Sequence, residues 1–256
     1  MQINTYTNPS CLPHLPAEPD NIPRMFCFPF AGSSAEYYRQ WQPALKEVVR
    51  VCPVELPGRA SRHHEPLAKD MNGLVTELTD ALLPFTGQPY IFFGHSLGSG
   101  IASLVIRELH HRGALLPALF FASGRFPIHL KHTRRICHTL SDEDLIDEIR
   151  RLGGTPEGVL TDPTFKQFFL PVVRADFQVL ETFTPPKPVP LAVPIRVLGG
   201  VDDADSPEWS MEHWKELSLC QCSIRMFPGG HFFIDENRDS IFTDIRTQIS
   251  NVLGIN

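Results

Sequence analysis

Tyr90-Ile91-Phe92-Phe93-Gly94-His95-Ser96-Leu97-Gly98 is the stretch whose reading decides the fold. Its first four residues form an apolar run short enough for a buried strand. Residues 99–109 then carry Ile101, Leu104, Val105 and Leu109 at helical spacing. Between the two lies Gly-x-Ser-x-Gly, the spacing of a nucleophile elbow. There a strained serine stands on a sharp strand-to-helix turn with its Oγ clear of the sheet, and glycines let two chain segments pass closely. Ser96 is the candidate nucleophile.

Two other readings compete for these residues. A serine in a glycine-rich turn occurs in many βα connections. The run Gly-His-Ser-Leu also resembles the phosphopantetheine-attachment site of carrier proteins. That site opens a helix in a small helical bundle and has no buried strand before it. Here the strand is present, a second glycine follows the serine, and 256 residues is far too long for a carrier. The elbow is the better reading.

Outward from the elbow the chain alternates. Strands are predicted at 25–28, 51–55, 118–123, 195–198 and 223–227. Residues 70–83 place Leu74, Val75, Leu78, Ala81 and Leu82 on one helical face, and 240–253 make a closing helix. Strands separated by helical patterns mean an α/β fold, a mostly parallel, doubly wound sheet with helices on both faces. Residues 125–185 break the alternation. Ser141-Asp142-Glu143-Asp144 opens a helix that Gly153-Gly154 stops, and a second helical pattern runs over 163–183. This interval, approximately 126–185, is predicted to be a helical lid inserted between two strands.

Composition bounds the rest. The apolar fraction is 42% and the charged fraction 20%, as in an ordinary globule able to bury a sizeable core. A net charge of −6 argues against nucleic acid as the main partner, and no stretch has membrane-spanning length. Residues 1–22 are polar and proline-rich and lack a signal peptide's apolar core, so they read as a loose leader. Residues 23–256 read as a single domain, cytoplasmic by default. Six cysteines without a secretory signal imply free thiols. No histidine or cysteine cluster stands at ligand spacing, so neither a metal site nor a cofactor is expected.

A serine hydroxyl needs a base to remove its proton and a carboxylate to hold that base in one tautomer. After an elbow the partners follow in the order Ser, Asp, His. His213 lies in a charged helical stretch, whereas His231 follows a strand and a Pro228-Gly229-Gly230 turn, which makes His231 the better base. For the acid, Asp202 and Asp203 both follow the strand at 195–198, with Asp205 a poor third. Spacing does not separate the first two. The oxyanion donors are expected to be the backbone N–H groups of Leu97, directly after the nucleophile, and Ala31, in the loop after the first strand.

Several segments in this order carry a family resemblance: Phe28-Pro29-Phe30-Ala31-Gly32, Leu56-Pro57-Gly58-Arg59, Gly94 to Gly98, Ser123-Gly124-Arg125, Leu170 to Phe177, Gly199 to Asp203, and Phe227 to Phe232. The chain resembles the type II thioesterases, free-standing hydrolases of the α/β-hydrolase fold that accompany polyketide and nonribosomal-peptide synthases. It is similar also to the medium-chain thioesterase of animal fatty acid synthase. The resemblance implies hydrolysis of acyl groups from the phosphopantetheine arm of acyl- or peptidyl-carrier proteins, and action in trans by a monomer is expected. It favours the second aspartate, Asp203, as the triad acid and implies Ala31 and Leu97 as oxyanion donors. Phe30, Ser33 and Leu97 depart from residues common in the family.

The lid stripe Phe165, Phe169, Val172 and Val173 is expected to line the acyl pocket. Two basic groups, His129 to Arg135 and Arg59 with Arg62, offer surfaces for an acidic carrier or are ordinary solvated faces. A fatty-acid-synthase thioesterase, a small-molecule esterase and a non-catalytic carrier-binding module are the alternatives.

Overall fold

Among the described residues six strands form one sheet, every neighbouring pair parallel: β1 (Arg24–Phe28), β2 (Arg50–Pro53), β3 (Tyr90–His95), β4 (Leu119–Ser123), β5 (Ile195–Gly200) and β6 (Cys222–Phe227). The computed structural model describes residues 9–15, 22–130 and 136–254. The inner strands β1, β3 and β4 are apolar for most of their length because a parallel sheet is covered on both faces, whereas the edge strand β6 carries Ser223 and Arg225 and is only partly buried. Alternation sorts their side chains. Phe26, Phe28, Tyr90, Phe92 and Phe120 meet α2 (Met71–Leu82) and α3 (Leu97–His111) on one face. Met25, Cys27, Ile91, Phe93 and Phe121 meet the other cover, α1 (Ala35–Arg39) with Trp41, and the closing helix Arg238–Leu253. The Asp70 carboxylate caps α2 by accepting the Gly73 N–H at 2.8 Å.

The strand order is β2-β1-β3-β4-β5-β6. The chain leaves β1 for the edge strand β2, then crosses back to β3 on the other side of β1, with Phe28 in register with Gly94. The loops after β1 and β3 therefore diverge from adjacent strand ends, and an α/β sheet opens its crevice at such a reversal. Geometry puts the elbow there.

Between β4 and β5 lie the predicted lid elements. The helix α4 (Asp142–Leu152) starts at Ser141, whose Oγ accepts the Asp144 N–H at 3.1 Å, and ends at Gly153 with φ +83°. A single turn, Glu157–Leu160, follows. The predicted helix over 163–183 is found as one helical run over 163–181, with a change of register inside it. Its first part is a wide π-type turn, Phe165–Phe169, and the regular helix α5 runs Leu170–Glu181. Pro171 explains the wide turn: it has no N–H to donate to the preceding turn, and its ring crowds the backbone there. Phe165 is buried in a small core with Leu145, Ile149, Leu160 and Phe177, while Phe168 and Phe169 are 60% and 52% exposed. Among the described residues no helix is long and apolar enough to cross a membrane.

Candidate active site

Ser96 holds φ +54° and ψ −116°, a conformation a non-glycine residue keeps only when its surroundings enforce it. Both elbow glycines are required by contact. A Cβ on Gly94 would stand 2.4 Å from the Gly98 carbonyl oxygen, and one on Gly98 would stand 2.1 Å from that of Phe28. The close approach of β1, β3 and the start of α3 is what turns the serine out.

Ser96 Oγ lies 2.9 Å from His231 Nε2, and His231 Nδ1 lies 2.8 Å from Asp203 Oδ2. With its proton on Nδ1, the imidazole donates to the carboxylate and accepts the serine O–H; the tautomer is assigned from this network. The three residues come from the loops after β3, β6 and β5. Gly200 lets the last two loops touch, since a Cβ there would meet the Gly230 carbonyl oxygen at 2.3 Å. Asp203 is buried, and its second oxygen accepts the Asp205 N–H at 3.0 Å. Asp202 is exposed, and its backbone N–H donates to the Gly229 carbonyl. His213 pairs with Glu216 on its own turn. A hydroxyl, an imidazole and a buried carboxylate in this chain can relay a proton off the hydroxyl.

The residue inside the motif, His95, was not singled out by sequence reading. It is fully buried beneath the site, 2.9 Å from Ser123 Oγ through Nδ1, with its ring centroid 5.3 Å from that of His231. Burial first, and the neighbouring His231 second, hold its pKa well below the usual histidine value. It is neutral and adds no positive charge beside His231.

Ala31 and Leu97 both line the cleft at Ser96. Leu97 is the first residue of α3, where the helix itself leaves the N–H unsatisfied. Among the described residues neither backbone N–H has an acceptor. The cleft encloses about 860 Å³ including its mouth. Ser96 and His231 line it, and so do Phe165, Phe169 and Val173 of the segment between β4 and β5. Val172, expected in that lining, is buried elsewhere, because one residue along a helix is a rotation of about 100°. Phe30, Ile149, Leu152, Phe177, Leu180 and Phe232 complete the apolar wall. Ile149 and Leu152 were not singled out from the sequence; the helical spacing of Leu145, Ile149 and Leu152 could have placed them on one face, but not against which surface.

Arg59 and Arg62 are not a surface patch. Both are buried, Arg59 paired with Asp176 and Arg62 with Glu65 and Glu77. The segment 131–135 of the other basic group lies outside the described residues, and His129 faces Glu216 at 3.8 Å. Among the described residues no three His, Cys, Asp or Glu side chains gather to hold a metal ion.

Residues 23–249 match the family model described as a thioesterase domain. Linear gramicidin dehydrogenase LgrE of Brevibacillus parabrevis is 32% identical over 255 residues, covering 97% of this chain and 96% of that one. The human medium-chain S-acyl fatty acid synthase thioesterase is 31% identical over 221 residues, covering 84% and 82%. Among solved structures, YbtT, a type II thioesterase from the Yersiniabactin NRPS/PKS biosynthetic pathway, superposes with a TM-score of 0.79 at 28% identity, covering 93% of this chain and 97% of its own. The sheet, the elbow and these likenesses define an α/β-hydrolase fold. The chain belongs to the thioesterase family and is a thioester hydrolase.

Proposed function

We propose that this protein is a type II thioesterase that hydrolyses acyl groups from the phosphopantetheine arm of carrier proteins. It acts in trans on a polyketide or nonribosomal-peptide synthase, to edit or release intermediates. One observation carries the reading: the hydrogen-bonded series Ser96–His231–Asp203 opens into an apolar cleft roofed by helices. His231 Nε2 takes the Ser96 proton as Oγ attacks the thioester carbonyl. The N–H groups of Ala31 and Leu97 receive the oxyanion. The imidazolium returns its proton to the departing thiol, leaving an acyl-serine. Water, deprotonated by His231, then attacks that ester, and Ser96 recovers its proton as the acid leaves. Asp203 stays ionised throughout and holds the imidazole in register.

The domain spans 23–256 with its lid at 126–185, and works as a cytoplasmic monomer. None of the six cysteines is in a disulfide, which suits a reducing compartment. A fatty-acid-synthase role uses the same chemistry with another carrier. Hydride transfer, which the name of LgrE would imply, calls for a glycine-rich dinucleotide turn after the first strand. That turn here, Phe28-Pro29-Phe30-Ala31-Gly32-Ser33, holds one glycine. Hydrolysis rates on acyl-carrier, acyl-CoA and nitrophenyl ester substrates of several lengths test the proposal. The expected order is acyl-carrier first. Equal or higher kcat/KM on simple esters would make the protein an esterase.

A further inference from the structure

We infer that the buried Arg59–Asp176 pair is a positioning device for the turn that carries Ala31, so that lid helix α5 helps to set the oxyanion hole. The inference rests on the assignment of Ala31 as an oxyanion donor. The turn is Phe30 to Ser33: the Ser33 N–H donates to the Phe30 carbonyl at 3.0 Å, with Gly32 at φ +78° in the third position. That single bond closes the turn from inside. The other hydrogen bonds to its backbone come from far along the chain. The Gly32 N–H donates to Asp176 Oδ2 at 2.8 Å. Arg59 grips both oxygens of that carboxylate, at 2.7 and 2.6 Å, and Arg59 Nη1 also donates to the Ser33 carbonyl at 3.2 Å. Residues 32 and 33 are thus pinned directly after Ala31. Val173, nearly one helical turn before Asp176, presses on the same glycine: a Cβ on Gly32 would lie 2.7 Å from its Cγ2.

A buried ion pair is weak ground for stability, because apolar residues of similar volume often replace one without loss. Placement is different. A displacement of about 1 Å at a donor costs on the order of a hundredfold in rate, and an apolar pair gives Gly32 N–H and Ser33 C=O nothing to hold. That contrast makes Arg59→Met with Asp176→Leu the deciding variant, beside Asp176→Ala alone. Thermal midpoints, kcat and KM on an acyl-carrier substrate, and the rate of Ser96 acylation are measured where circular dichroism shows each protein folded. The double variant is expected to melt at or near the wild-type midpoint, with kcat and acylation at least tenfold lower and KM within about threefold. Loss of one oxyanion donor, about 10²–10³ in kcat, sets the ceiling. Asp176→Ala is expected to fall in both midpoint and kcat. A double variant with wild-type kcat overturns the inference and leaves the triad reading intact. A wild-type protein that never acylates Ser96 overturns both.

Discussion

Replacing Asp203 with Asn tests the assignment within the acidic loop, and the structure dictates how the amide must turn. The Asp205 N–H donates to Oδ1 of Asp203, so that position demands an oxygen. An asparagine that keeps this bond presents its NH₂ to His231 Nδ1, where Oδ2 now stands at 2.8 Å. A donor facing Nδ1 forces the imidazole proton onto Nε2, which then points at Ser96 and cannot accept its proton. The corresponding change in a serine protease costs about 10⁴ in kcat, or about 5.4 kcal/mol of barrier. Asp202→Asn alters an exposed side chain and leaves its backbone bond to Gly229 intact, so a change within about twofold is expected. Single-turnover acylation on an acyl-carrier substrate reads the step directly. A larger loss in Asp202→Asn, or a loss under tenfold in Asp203→Asn, would refute the tautomer argument.

Phe169→Ala and Val173→Ala, both in the cleft lining, are expected to reorder acyl-length preference; Val172→Ala is expected to cost on the order of 2 kcal/mol of stability and leave that profile unchanged. Hydrogen exchange is expected to run faster over 140–183 than in the sheet, and equal protection would make this segment a fixed part of the fold. Glu55 accepts the Ala35 N–H at 3.3 Å, and burial raises its pKa to about 7 against the opposing pull of that N–H and of Arg59 and Arg62. A carboxyl raised in the folded state loses stability as pH climbs from its unfolded value through 7. Glu55→Gln, which does not titrate, is therefore expected to gain in midpoint over wild type between pH 5 and pH 8; a constant difference would contradict this. Gly98→Ala is expected to abolish the folded, active protein because its Cβ meets the Phe28 backbone, whereas Gly87→Ala, with open space around it, serves as a neutral control in the same thermal and rate assays.

The inner strands β1, β3 and β4 were legible because burial on both faces writes them as apolar runs, and α2 and α3 because one-sided burial repeats every turn. The helix over 163–183 was legible from its apolar spacing, but its π turn was not, because the missing donor of Pro171 acts on the turn before it, beyond what that spacing records. Ser96 and His231 were legible from the punctuation around them, glycine turns after apolar strands. Asp202 and Asp203 were not separable, because successive residues in a loop point different ways and only the contact of the Gly200 and Gly230 loops decides which meets the imidazole. Arg59 and Arg62 looked like surface charge. Their burial depends on acids as far away as Asp176, and no local pattern encodes a pairing over 117 residues.

The central claim is that Ser96 carries the acyl group between carrier and water. Intact-mass and peptide mass spectrometry of the protein quenched during turnover of an acyl-carrier substrate tests it most directly. The account predicts a transient adduct with the mass of the acyl group on the peptide containing Ser96, and neither adduct nor turnover in Ser96→Ala. An adduct on another residue, or hydrolysis surviving at near wild-type rate in Ser96→Ala, would contradict it.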